Sequence, residues 1–186
     1  MARVFGDSVD LDLDILSLVE YQQWQAGAAI PFAGRHAVAI TAPFGWIVDA
    51  HTLLGGYLAR LYRRGLSAEQ SADRWEWMYL NIWTRDHKVG SLDELIADQN
   101  ARLLSASSLR AVISQREAAL RSDQRTVIRR AEMPQYQTAE ITGFVEFAEF
   151  ICFVVLFTPL YLERRNTRKL EYLLRKIRSG SVVHAT

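Results

Sequence analysis

Apolar and polar residues alternate at the start of the chain, where Val9, Leu11 and Leu13 are separated by Asp10, Asp12 and Asp14. Alternation alone suits a strand. Leu11, Ile15, Leu18 and Val19 also share one helical face, and the following Glu20, Gln22, Gln23 and Gln25 are good helix formers, so 9–25 reads as a helix. Residues 27–45 are rich in Ala and broken by Pro31, Gly34 and Pro43. Proline cannot donate a backbone hydrogen bond, so this stretch reads as irregular and apolar.

Three helices are then expected. The first covers 46–64, stopped by Gly65 with Arg60, Arg63 and Arg64 in its last turn. Ser67 and Gln70 have the form of a capping box and open the second, 68–84, whose apolar face runs through Ala68, Ala72, Trp75, Tyr79 and Ile82. A second box, Ser91 with Glu94, opens the third, 92–133. Beyond Ser105 that helix keeps only a thin stripe (Leu109, Val112, Ile113, Leu120, Val127, Ile128), the pattern of a solvated helix or one lying along a partner. Pro134 ends it, and Thr138 caps a last helix.

The run 143–162 is the most informative segment. About 20 residues at 1.5 Å each match the roughly 30 Å of a bilayer's hydrocarbon core. Tyr161 stands where an interfacial ring belongs, and a basic cluster follows at once. The expected organisation is therefore mainly α. A helical domain (1–137) is followed by one long C-terminal helix carrying a transmembrane segment (138–162) and a basic amphipathic tail (163–186). Glu146 and Glu149 sit at the start of the span, as carboxylates buried or paired near the boundary. A weaker apolar stretch, 37–58, contains Asp49, His51 and Pro43, and a second span there would put the two basic clusters on opposite sides of the membrane.

Charge changes the picture only locally. The 186 residues carry a formal net charge of +1, which gives no general basic excess for nucleic acid and no acidic bias towards disorder. The cations concentrate at Arg164, Arg165, Arg168, Lys169, Arg175 and Lys176. Leu170, Leu173, Leu174 and Ile177 interleave with them at helical spacing. A basic amphipathic segment directly after an apolar one points to contact with anionic lipid of the cardiolipin kind or with a partner helix.

Candidate chemistry is sparse. Asp10, Asp12 and Asp14 resemble the start of a calcium loop, but Ile15 stands where the loop needs Gly and Tyr21 where it needs a bidentate acid. His36, His51, His87 and His184 are scattered, and none shows the i,i+4 spacing of a helical metal site. The single cysteine, Cys152, reads as an apolar filler. Gly55 and Gly56 form no phosphate loop, and no nucleophile elbow is present. No catalytic residue, cofactor site or metal site is expected, and no small-molecule substrate. Trp75, Trp77 and Trp83 remain as interface aromatics, because Trp75 and Trp77 cannot both face one core on a helix.

Together these features describe a non-catalytic accessory subunit of a multi-subunit membrane complex. Its setting would be an energy-transducing, respiratory-type inner membrane, mitochondrial or bacterial, with the basic tail on the matrix or cytoplasmic side. Other subunits and anionic lipid would be its partners. Two alternatives use the same residues differently: a soluble all-α interaction module with 150–162 as a buried core helix, and a proton-translocating component working through Glu146 and Glu149.

Overall fold

In the computed structural model the chain is built from antiparallel sheet, described over residues 2–6, 9–12, 27–32, 36–50, 58–85, 90–106 and 111–184. Five strands form a small sheet in the order β2-β1-β12-β4-β3: β1 (Ala2–Gly6), β2 (Val9–Asp12), β3 (Gly27–Phe32), β4 (His36–Thr41) and β12 (Arg178–His184). Seven form the large sheet, β5-β6-β7-β11-β10-β9-β8. They are β5 (Trp46–Asp49), β6 (Ala59–Arg63), β7 (Trp77–Thr84), β8 (Val112–Glu117), β9 (Thr126–Met133), β10 (Thr138–Glu146) and β11 (Phe150–Pro159). The helices are α1 (Ala68–Asp73), α2 (Leu92–Ser105) and α3 (Glu163–Lys176).

The expectation of a mainly α protein is overturned, and β11 shows why. It lies in the interior of the large sheet, between β7 and β10, with apolar layers on both faces. Cys152, Val154 and Leu156 point into a core shared with α3 and the small sheet, while Ile151, Phe153 and Val155 point towards α2. A strand covered on both sides needs apolar residues at every position, so it loses the alternation that marks a half-buried strand. The segment 138–162 is consequently two strands paired along their full length, from Thr138 opposite Pro159 to Glu146 opposite Ile151. Among the described residues no helix is long and apolar enough to cross a membrane. The transmembrane helix, the membrane-subunit reading and the inner-membrane location all rested on that span and are withdrawn with it. The all-α module fails as well, since 150–162 is mostly strand.

The same correction applies along the chain. The expected helix 46–64 is the β5–β6 hairpin at both its ends, with 51–57 outside the described residues. The helix 68–84 stops at Asp73 and gives way to β7. The helix 92–133 stops at Ser105 and is followed by β8 and β9. The irregular stretch 27–45 contains β3 and β4, and 9–12 is a strand, while 13–26 lie outside the described residues.

Helix α3 is amphipathic, with Leu170, Leu173 and Leu174 fully buried against β10, β11 and β4. Its close approach depends on Gly143, where a Cβ would stand 2.3 Å from Leu174 Cδ1. On the opposite face α2 buries Leu92, Leu95 and Ile96 over Val127, Phe144 and Ile151. The candidate site lies between this helix and the β7–β11 part of the sheet.

A candidate ligand-binding cleft

Strand β7 sends Met78 and Leu80 into the main core, which places Trp77, Tyr79, Asn81 and Trp83 on the other face by the two-residue period of a strand. Phe153, Val155 and Phe157 of the neighbouring β11 share that face. Trp77 stacks on Phe157, with centroids 4.8 Å apart and planes at 19°, and Tyr79 lies 5.6 Å from Trp77. Trp75 meets Phe157 edge-on at 6.0 Å. Trp75 and Trp77 therefore serve one aromatic surface. Their spacing excludes that on a helix and favours it on extended chain.

Trp75 holds its place at a conformational cost. After α1 the chain closes in a Schellman turn, with Trp75 N–H bonded to Ala72 O at 2.9 Å and Glu76 N–H to Ser71 O at 3.0 Å. The residue at Trp75's position must be left-handed and is usually glycine; here a tryptophan adopts φ of +53°. Strain of this kind gathers at functional positions.

Between this aromatic floor and α2 lies an open cleft of about 370 Å³, within the size range of small-molecule sites. Tyr79, Trp83, Phe153 and Val155 form its apolar side, and Leu95 and Leu103 of α2 its roof. Arg129 of β9 and Glu140 of β10 supply the polar end. The Arg129 side chain is 2% exposed and ion-paired with Glu140. It donates to Thr142 Oγ1 at 2.8 Å and, at a long 3.5 Å, to Asn100 Oδ1 of α2. Its Nε–H is buried and has no acceptor among the described residues.

Burial works against both charges. It holds the Glu140 carboxyl above its ordinary value, opposed by the neighbouring Arg129. It lowers Arg129, opposed by Glu140 and Tyr79. A buried pair of this kind costs several kcal/mol per ion in desolvation and adds little net stability, about zero or less against an apolar replacement. The arrangement can grip a planar apolar body on the aromatic side and place an acceptor group near a guanidinium. Among the described residues no three His, Cys, Asp or Glu side chains are placed to share a metal ion.

The residues singled out in the sequence fall into three places. Trp83 lines the cleft, and Trp75 and Trp77 extend its floor. Glu146 and Glu149 flank the β10–β11 turn, where Glu146 accepts from Arg85 at 2.7 Å and the exposed Glu149 meets His36 at 3.0 Å. The proton-relay alternative rested on a membrane-spanning helix at 138–162, which is a strand pair instead. Arg164, Arg165, Arg168, Arg175 and Lys176 are exposed on α3, and Lys169 is half-buried with its ammonium 5.3 Å from the Trp46 ring. That helix lies across the sheet from the cleft. Arg129, Glu140 and Phe153 carry no site signal when their segments pattern as helices, and Tyr79 patterns there only as part of an apolar helical face. Their signal is phase: read as a strand, 126–133 puts Arg129 in register with the inward-facing Val127.

No family model matches the chain, and no curated protein matches it. Among solved structures, it is similar to the solution structure of cyanobacterial PsbP (CyanoP) from Synechocystis sp. PCC 6803. The likeness covers 82% of this chain and 92% of that one, at 13% identity and a TM-score of 0.49. At that level it transfers neither a fold family nor a partner to this chain.

Proposed function

We propose that this chain is a non-catalytic binding module whose cleft takes a small ligand with a planar or aromatic body and one anionic group. The observation that carries the reading is the buried Arg129 at the polar end of a wall of aromatic rings, with an Nε–H that has no acceptor among the described residues. A guanidinium at the polar end of an apolar-walled cleft favours a carboxylate or sulfonate, because charge-assisted hydrogen bonds are the strong ones. The rings offer stacking and large contact area at little entropic cost, a combination common where ligands and partners bind.

The test uses two fluorescent probes of one shape: anilinonaphthalene sulfonate, which is anionic, and phenylnaphthylamine, which is neutral. The native chain is expected to bind both, the anionic one more tightly. Trp83→Ala should weaken both. The double variant Arg129→Met with Glu140→Leu should weaken only the anionic probe, by about tenfold or more, as expected for a hydrogen bond to a charged group worth 1.5–3 kcal/mol. Equal loss of both probes in the double variant, or no loss in Trp83→Ala, would refute the assignment.

A further inference from the structure

We propose that the outward face of α3 is a docking surface for an acidic segment of a partner protein. Arg164, Arg168, Arg175 and Lys176 are exposed on it, and among the described residues none of their side chains has an acidic partner. Both acids of the helix are engaged elsewhere: Glu163 takes Arg130 through contacts of 2.5 and 2.8 Å, and Glu171 takes Arg116 at 2.6 Å. One end of the stripe is more positive still. There the buried Glu76 is shared by Arg165 at 2.8 Å and Arg63 at 3.1 Å, and one carboxylate serves two guanidiniums with Lys169 close by.

Tyrosines punctuate the stripe. Tyr161, in the turn leading into α3, is 85% exposed, and Tyr172 is 42% exposed. The series 161, 164/165, 168, 172, 175/176 advances by three or four residues, so these side chains lie along one face. The helix has 14 residues, about 21 Å at 1.5 Å each.

The occupant follows from what this face has and lacks. The apolar side of α3 is already spent, since Leu170, Leu173, Leu174 and Ile177 are fully buried in the protein's own core. A helix that binds a bilayer needs that side to enter the headgroup layer. A nucleic-acid surface calls for a broad basic field, whereas the chain's net charge is +1 and the excess is confined to this neighbourhood. Arginine interleaved with exposed tyrosine is the composition of protein–protein contacts, and the guanidinium fork matches carboxylates two oxygens at a time.

The experiment titrates the full chain, at about 0.15 M salt so that distant charges are screened, with three probes: a labelled oligoglutamate peptide, phosphatidylcholine vesicles containing phosphatidylglycerol, and a short DNA duplex. The peptide should bind, and the triple variant Arg164→Glu, Arg168→Glu, Arg175→Glu should lose at least about tenfold in affinity. Tyr172→Ala should lose a few-fold, which a purely electrostatic contact would not. The cleft variant Arg129→Met with Glu140→Leu should bind as the native chain does, so failure here and failure of the cleft reading remain distinguishable. Should the triple variant not fold, the charge-neutral pair Arg168→Gln, Arg175→Gln replaces it, with a several-fold loss expected. Undiminished peptide binding in these variants, or retention on vesicles or duplex without peptide binding, overturns the proposal.

Discussion

Trp75 and Arg129 each carry a cost that the fold alone does not require. The left-handed backbone at Trp75 is expensive for any residue with a Cβ, by roughly 1–2 kcal/mol. Trp75→Ala loses the contact with Phe157 and keeps the strain; Trp75→Gly loses the contact and relieves it. The glycine variant should therefore be the more stable of the two by about 1 kcal/mol in urea unfolding, an order that a right-handed backbone would reverse. At Arg129 the cost is electrostatic. Arg129→Met strands Glu140 without its partner and should cost about 3–5 kcal/mol, whereas removing both charges with Glu140→Leu should restore native stability or exceed it. The single variant should also titrate. Glu140's carboxyl lies above its ordinary value of 4.5 when folded, so the folded state holds the proton more tightly than the unfolded one. Stability is then highest at low pH and falls as pH rises from about 4.5 through the folded value, and the double variant should lack that slope.

At the scale of elements, α3 packs tightly against β10 at Gly143. A methyl group at Gly143 would collide with Leu174, which is fully buried and has little room to turn. Gly143→Ala should cost about 1–3 kcal/mol through overpacking. In a Leu174→Ala background the same change should be nearly neutral, and a thermal-melt double-mutant cycle reads that coupling. Elements with local signals were legible in advance. Both capping boxes form, with Gln70 N–H donating to Ser67 Oγ and Glu94 N–H to Ser91 Oγ, each at 3.2 Å. The α3 stripe of Leu170, Leu173 and Leu174 is likewise the buried one. Where each helix ends was not legible, because β7 begins four residues after Asp73 and pairs with β11, far along the chain, and β8 begins soon after Ser105. The β11 run misleads for the opposite reason: its two buried faces erase the period that separates strand from helix. The cleft stayed hidden with them, since its Arg129–Glu140 pair joins neighbouring strands that the sequence reading took as helices.

For the whole molecule, the large sheet separates two surfaces: an aromatic cleft under α2 on one face and a cationic helix on the other. The sheet itself can be monitored through Cys152, which is fully buried in β11 and whose thiol is pushed up by burial. Its reaction with a thiol reagent should occur only in molecules that have opened, so labelling should rise along the denaturant unfolding curve; rapid labelling of the native chain would contradict a covered central strand. The central claim, that the cleft binds a ligand, is tested most directly by following the indole N–H resonances of the tryptophans while anilinonaphthalene sulfonate is titrated in. Trp46, 2% exposed in the core on the opposite face, is the internal control. Saturable shifts of Trp83 and Trp77 with Trp46 unmoved are the predicted result. Shifts that spare Trp83, or that move Trp46 equally, would contradict the account.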